Sequence, residues 1–573
     1  MKKKKRNNNS CLACTGILRI GRSGCTVKCQ GGPYPEVRVS RKNSNQAENG
    51  DRVDVKIVKH APSGRRPKGE ITKVYTSDEN YMIQLRNFLR QYRIKESFPK
   101  KVRKESDSFL REFDISSEIK KRRDLRNIRT FTIDPDDARD YDDAVSIEIL
   151  ENGNYLLGVH IADVSAFVSP GSAIDKEAYI RGTSIYLPWK VVPMLPEVLS
   201  NDLCSLKEGK DRLSFSCFLE MNSGGNTVSS EICKSVIRSS ARLTYKIAQN
   251  MIDDNSDQSE IASDLRTLKK LASAVRKKRS TSGSIDFNLP ESKITVDKDN
   301  EPVKIEQYPV YETNRIVEDC MLAANRAVAE LASCKGLPFI YRIHPEPCTE
   351  DAAQVMEYAG ALGIKTGGYK GASTYKKIVD CIKGTKEETV LNKLILLSMQ
   401  KAEYSSRNIG HFGLAFKKYT HFTSPIRRYP DLMVHRILGA WLNGKVKPDV
   451  LGPDTLPAIS LKTSEAEYRA DRLERSGNKL MMARFMESRI GQKFTGKISG
   501  MLEYGMFVVL NDYFVEGFVR AADIEDDYYV FDPVSIEMKG TSGGRKFTLG
   551  QEIRLICKSA SVNTMTIDFV PDE

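Results

Sequence analysis

The sequence predicts a multidomain α+β chain in which a mixed α/β domain is flanked by OB-type β-barrels. Three observations predict it. Short β-like runs crowd residues 15 to 76, strand-like runs mix with long helical patterns from 127 to 445, and a second rhythm of strands and turns fills 490 to 573. The 573 residues suit about four domains, and 40% hydrophobic content is ample for a large core.

Residues 1 to 10, MKKKKRNNNS, form a basic tail that resembles the first part of an export signal. The following CLACTGILRIGR lacks an unbroken apolar core, so export is not expected. The net charge of +14 is concentrated at this end: residues 1 to 76 hold 18 Lys and Arg against 5 Asp and Glu. Such a field suits a polyanion, whose binding should weaken steeply with salt. No run of eighteen apolar residues argues for a membrane span. The twelve cysteines are scattered, which reads as reduced and cytoplasmic.

Within 11 to 76 the runs GILRI, TVKC, EVRVS, RVDVKIV and GEITKVY, separated by Gly, Pro, Asn and Ser, predict a five-stranded OB-type barrel. Its Cys11, Cys14, Cys25 and Cys29 have a zinc-like spacing, but Cys25, Val27 and Cys29 alternate as one face of a strand, where cysteine is a small core residue. From 77 to 126 the pattern turns helical and charged. Met82, Leu85, Phe88 and Leu89 recur at helical spacing, and the segment reads as a basic helical connector.

The domain at 127 to 445 opens on the most informative segment, IDPDDARDYDDA from Ile133 to Ala144. Asp134, Asp136, Asp137, Asp140, Asp142 and Asp143 would repel one another in a folded site unless protons or a divalent cation neutralised them. Oxygen ligands favour hard ions, hence Mg²⁺ with Mn²⁺ as the alternative, and Mg²⁺ usually pairs with a substrate phosphate. A solvated turn is the bland alternative, and EF-hand calcium spacing is absent. The flanking runs Thr130 to Ile133, Val145 to Leu150 and Tyr155 to Asp163 favour a loop between strands of a buried sheet. Further on, a helix is predicted from about Glu312 through Ala332. Its Glu318, Met321, Leu322 and Asn325 share a face, placing two polar side chains in an otherwise apolar stripe where they need partners.

The segment TFTIDPDDARDYDDAVSIE resembles the catalytic signature of the ribonuclease II and ribonuclease R family of 3′-to-5′ exoribonucleases. The likeness continues through VHIADVSAFVSPGS (Val159 to Ser172), RGTSIYLPWKVVPMLPEVLSNDLCSL (Arg181 to Leu206), DRLSFS, ARLTY (Ala241 to Tyr245) and HFTSPIRRYPDLMVHR (His421 to Arg436). These blocks keep the family's order, and the chain has the proportions of a short ribonuclease R. The resemblance implies that 127 to 445 is the catalytic domain and that the first barrel is cold-shock-like. The family commonly carries two such barrels where this chain has room for one, which leaves duplex unwinding and processivity open.

The resemblance also implies roles. Asp134, Asp140, Asp142 and Asp143 match the four motif aspartates and would hold one or two divalent ions, about 4 Å apart if two. Asp136 and Asp137 read as turn or supporting residues. Arg427 matches the catalytic arginine, able to grip phosphate through two parallel hydrogen bonds, while Arg428 is the candidate for a structural ion pair. Tyr186 and Phe287 look like the family's stacking aromatics, Tyr245 a sugar or backbone contact, and Glu318 a contact to the ribose hydroxyl. His160, His344, His411, His421 and His435 show no metal-ligand spacing and read as structural.

A helical connector is expected at 446 to 489. The last barrel, 490 to 573, with FTGKISGMLEYGMFVVL, VEGFVRAADI and MTIDFV, resembles the OB domain repeated in a large RNA-binding protein of the bacterial small ribosomal subunit. Tyr504, Phe507 and Phe518 are its candidate stacking residues, and Lys497 and Arg520 its candidate phosphate contacts. Phe507 and Val509 share strand parity, so one of the two faces belongs to core. The family's lysine-rich C-terminal tail is not seen before the final VPDE.

The expectation is a cytoplasmic, monomeric, Mg²⁺-dependent exoribonuclease that takes single-stranded RNA from its 3′ end and releases nucleoside 5′-monophosphates. A catalytically silent RNA-binding protein on the same fold is the rival from another class. An endonuclease or a DNA-directed phosphodiesterase is the third reading.

Overall fold

The computed structural model describes residues 13–21, 24–29, 34–59, 66–286, 290–385, 388–444, 455–532 and 537–572. The basic tail, Cys11 and Phe287 lie outside them.

Strands Ala13–Gly21, Gly24–Cys29, Glu36–Val39, Lys68–Val74 and Arg52–Lys59 close, in that spatial order, into the first barrel. Alternation sends Leu18, Val27, Val37, Val39, Val53 and Val55 inward. Cys14 and Cys25 join this core with Cys29 packed against it. Burial, with the Cys14 thiol beside it, pushes Cys29 up to about 12.

The connector is more than a basic linker. Its first helix, Ser77–Gln91, starts at a capping box formed by Thr76 and Glu79. Tyr81 and Leu85 pack with Leu480 and Met481 of a long helix, Thr455–Glu487, and with Val562 of the last barrel. Gln84 Nε2 donates to Asn563 Oδ1 at 2.8 Å, and Asn563 Nδ2 donates to the Gly50 carbonyl at 3.1 Å. Asn563 thus links the last barrel to both the first barrel and the connector.

At the centre is a seven-stranded sheet in the order Ala241–Thr244, Phe131–Asp134, Asp143–Ile149, Tyr155–Ala162, Asp211–Met221, Thr227–Arg238, Arg123–Asp124. The two outermost pairings are parallel and the rest antiparallel. Phe131, Val145, Val159, Ile161, Phe215 and Phe422 belong to one continuous core with helices Glu312–Cys334 and Tyr429–Leu442. The acidic segment is the loop between two adjacent strands, Phe131–Asp134 and Asp143–Ile149.

One expectation needs correction. Asn325 is buried, accepting from the Phe422 amide at 2.7 Å, but Glu318 is exposed at 60% of its side chain. The stripe they share is covered at Leu322 and at Asn325, where Phe422 and Thr423 meet the amide, and is open at Glu318. The buried carboxylate of that turn is Asp319, paired with Arg276 and Arg279.

The last barrel closes in the order Lys493–Leu502, Gly505–Leu510, Glu516–Arg520, Thr566–Pro571, Glu552–Ser561, with a three-stranded sheet between its third and fourth strands in sequence. Met506, Val508 and Leu510 point inward, so Phe507 and Val509 take the outer face. Among the described residues no helix is long and apolar enough to cross a membrane.

Candidate active site and nucleic-acid interface

Asp134 closes one strand and Asp143 opens the next, so sheet geometry brings these two carboxylates to the same edge. The loop between them is held from two sides. Ser205 Oγ donates to the Arg139 carbonyl at 2.8 Å and accepts from the Tyr141 amide at 3.1 Å. Arg242 Nη2 donates to the carbonyls of Pro135 and Asp136, each at 2.9 Å. Asp136 and Asp137 are exposed, apart from the buried acids.

The acids that remain are crowded and poorly neutralised. Burial and the neighbouring Asp143 push Asp134 up to about 8. Burial pushes Asp143 up to about 6 against the pull of Arg427 and Arg428. Asp142 is also raised by burial, although Arg427 and the Ile426 amide favour its charged form. Oδ2 of Asp134 and Oδ2 of Asp142 are buried without a hydrogen-bond partner. An all-oxygen set with orphaned carboxylate atoms matches the chemistry of a hard divalent cation. Among the described residues, no three His, Cys, Asp or Glu side chains are already drawn together around one cation position.

The structure separates the two arginines. Arg428 makes a bidentate pair with the buried Asp431, Nε to Oδ2 at 3.0 Å and Nη2 to Oδ1 at 2.7 Å. Arg427 is 43% exposed, with Nε 3.9 Å from Asp142 Oδ2 and Nη2 donating to Ser424 Oγ at 3.1 Å. Its fork remains available at the acidic edge. Just ahead of them in the chain, the Ile426 amide donates to Asp142 Oδ1 at 2.9 Å, so the SPIRRYPD turn touches the acidic loop directly.

Tyr186 lies at the mouth of this cluster. Its hydroxyl donates to Asp140 Oδ2 at 3.0 Å and its amide to Glu474 Oε1 of the long helix at 2.8 Å. Burial and Asp140 hold the phenol above its usual range. Tyr245 stands on the other side, its hydroxyl raised by burial and by the charges of Asp143 and Asp134. Glu318 is one of the residues not brought to this cluster by any contact; its neighbour is Arg279 at 3.7 Å.

On the last barrel Phe507 and Phe518 are direct cross-strand partners with ring centroids 5.0 Å apart, and Tyr504 follows at 5.6 Å from Phe518. With Arg520 and Lys479 they line a groove of about 510 Å³. Lys497 is not part of that lining; it is exposed on a strand beside Val509 and Glu552. Lys393 reaches across from a helix, Glu388–Ser398, its ammonium 5.8 Å from the Phe507 ring.

Sequence reasoning missed Ser205, Arg242, Ser424, Asp431 and Glu474. Asp431 was within reach, since it follows Arg428 by three residues at the start of a helix, a spacing that pairs opposite charges. Glu474 carried no local signal, because its contact with Tyr186 spans 288 residues.

Comparisons with known proteins agree with this architecture. The RNB domain family matches residues 122–444, the cold shock domain family 33–99 and the S1 RNA binding domain family 487–556. Ribonuclease R of Aquifex aeolicus is 37% identical over 94% of this chain and 77% of its own length. Ribonuclease R 1 of Lactococcus lactis is 38% identical over 91% of the chain, which spans 65% of that protein. The fold matches Mycoplasma genitalium RNase R, solved with ribose-methylated single-stranded RNA, at a TM-score of 0.82 and 24% identity, covering 98% of this chain and 90% of that one. It also matches yeast Ssd1, a pseudonuclease, at 0.65 and 18% identity over 94% of this chain and 68% of that one. Fold likeness alone thus reaches active and silent proteins alike. The sequence relation over nearly the whole length decides the matter: the chain belongs to the ribonuclease R family of 3′-to-5′ exoribonucleases acting on RNA.

Proposed function

We propose that this chain binds single-stranded RNA, hydrolyses it one residue at a time from the 3′ end and releases nucleoside 5′-monophosphates, with Mg²⁺ or Mn²⁺ as cofactor. The observation that carries the reading is the contact between the SPIRRYPD turn and the acidic loop. It sets Arg427, an exposed guanidinium, beside orphaned carboxylate oxygens that ask for a cation.

Asp134, Asp140, Asp142 and Asp143 would hold the ion, and Asp136 and Asp137 would not. When bound, the metal supplies Lewis acidity at the scissile phosphate and a water of lowered pKa. Arg427 meets the phosphate and counters the charge that grows on its oxygens, as a preorganised donor does where water is excluded. Tyr186 offers its ring to a base near the 3′ end, with its hydroxyl anchored on Asp140 so that the ring cannot swing away. Tyr245 and Glu318 contact the sugar, and a hydrogen bond to the 2′-hydroxyl separates RNA from DNA. Phe287 is kept as a second stacking residue. Upstream, Tyr504, Phe507 and Phe518 stack bases, each worth roughly 1–3 kcal/mol without regard to sequence, while Arg520 meets phosphate. We place the enzyme in the cytoplasm as a monomer, its cysteines unpaired among the described residues.

The test uses 5′-labelled single-stranded RNA with Mg²⁺, with and without chelator, on the chain and on Asp142→Asn. Stepwise shortening from the 3′ end with monophosphate release, lost in the variant and under chelation, is expected. Bound but intact RNA in every lane would favour a silent binder. Internal cuts or consumption of DNA would favour the third reading.

A further inference from the structure

We infer that Asp431 is a positioning residue for the reaction: a buried carboxylate that, through the turn it closes, holds Arg427 in register against Asp142 and Tyr186. The inference rests on the role proposed above for Arg427.

Asp431 lies in the first turn of the helix Tyr429–Leu442 and is fully buried. Negative charge is favoured there by the helix dipole. Its Oδ1 accepts the Ser424 amide at 2.8 Å and Arg428 Nη2 at 2.7 Å, and its Oδ2 accepts Arg428 Nε at 3.0 Å. These three bonds close the Ser424–Asp431 segment on itself. Pro425 and Pro430 remove further freedom from it.

Three residues of that closed turn, Ser424, Ile426 and Arg427, are wired to different parts of the site. Ser424 Oγ accepts Arg427 Nη2 at 3.1 Å, which aims the guanidinium. The Ile426 amide caps Asp142 Oδ1 at 2.9 Å. The Arg427 carbonyl accepts the Ser184 amide and Thr183 Oγ1, each at 3.0 Å, and so fixes the Ile185–Leu187 strand. Tyr186 on that strand reaches Asp140 at 3.0 Å. Asp431 touches no candidate substrate contact itself. It acts through Ser424 and the turn, and the guanidinium of Arg428 is consumed in the locking pair and left no share in phosphate binding.

Placement errors near 1 Å cost rate rather than affinity, because remote contacts still hold the strand. Asp431→Asn keeps the size and one acceptor but loses the charge-assisted fork. It should lower kcat by about 10- to 100-fold and change KM by less than about threefold. A purely structural role predicts the same proportional loss whatever stands at position 427. A positioning role predicts that the loss disappears when its object is gone. In an Arg427→Ala background, Asp431→Asn should therefore cost less than about threefold further.

Ser424→Ala is the second variant, for the case in which Asp431→Asn does not fold. It leaves the Asp431–Arg428 pair intact and removes only the hydroxyl under Arg427. Its smaller loss in kcat should likewise vanish in the Arg427→Ala background. Single-turnover cleavage of labelled RNA, with melting temperature recorded for every variant, gives all the readings. Equal proportional losses in both backgrounds, or a rise in KM with kcat intact, would overturn the inference. A wild-type kcat for Arg427→Ala alone would instead overturn the role of Arg427, so the two failures are told apart.

Discussion

Replacing Asp134 by Asn should stabilise the metal-free protein in alkaline solution and leave it nearly unchanged in acid. The reason is proton linkage. Asp134 is pushed up from 3.8 to about 8 in the folded chain, so between those values the fold retains a proton that the unfolded chain has released. Stability then falls as pH rises from about 4 to about 8 and levels off above. Carried through at about 1.4 kcal/mol per pH unit, the penalty is on the order of 5 kcal/mol, and relaxation around a buried charge leaves a few kcal/mol to observe. Unfolding entropy of about 2.1 cal/mol/K per residue over the span 122–444 converts each kcal/mol to roughly 1.5 °C. The gap in Tm between Asp134→Asn and wild type should grow by about 4 °C between about pH 5 and about pH 8.5 in the presence of chelator. Scanning fluorimetry of both proteins across that range reads it directly. Comparing the pair at each pH also cancels the histidine contributions described next. Mg²⁺ should close the gap by raising the wild type more than the variant, since the ion relieves the same repulsion that the amide removes. A gap that stays constant with pH, or Mg²⁺ stabilisation equal in the two proteins, would refute the reasoning.

Three further outcomes follow from other parts of the molecule. His160, His344, His411, His421 and His435 are all lowered by burial, so the stability linked to them is complete above about pH 6.5 and declines as pH falls below it; urea melts of Asp134→Asn whose unfolding free energy does not fall between about pH 7 and about pH 5 would contradict this. Phe507→Ala and Phe518→Ala should each weaken single-stranded RNA by about 1–3 kcal/mol at fixed salt, and the double variant by less than their sum because the rings touch; fluorescence anisotropy with strictly additive losses would count against a shared stacking surface. At Gly158 an added Cβ would meet Ser146 Oγ at 2.2 Å and His160 Nε2 at 2.7 Å, so Gly158→Ala should cost roughly 1–3 kcal/mol in a urea melt, whereas a neutral result would mean the central strands yield more than packed interiors do.

How far the site was legible in the sequence depended on the range of the interaction. Six aspartates in one short segment announce a cation by composition alone, and the strands around them are visible as apolar runs, so the acidic edge of the sheet could be foreseen. The sequence could separate Arg427 from Arg428 through the family resemblance but left the ion-pair partner of Arg428 unnamed, although Asp431 stands only three residues beyond it. Glu474 and Ser205 were beyond reach. Glu474 acts through one contact across 288 residues and Ser205 through two across 64 and 66, and nothing near them differs from an ordinary helix or turn.

Glu318 shows why periodicity misled where it did. Spacing states which residues share a face of a helix, and Glu318 and Asn325 do share one. It does not state how far along the axis the cover extends, and seven residues are about 10 Å of helix. The Phe422 amide meets Asn325, whereas Glu318 stands exposed beside Arg279. The connector teaches the same lesson in reverse. Leu85 and Phe88 recur at helical spacing among charges and read as a linker, yet the face they form is buried because elements from the far end of the chain, Leu480 and Val562 for Leu85 and Ala470 and Leu473 for Phe88, come to meet it. Burial is a property of the partner as much as of the helix. A sequence shows one side of each contact, and the residues that position this site are those whose other side is far away in the chain.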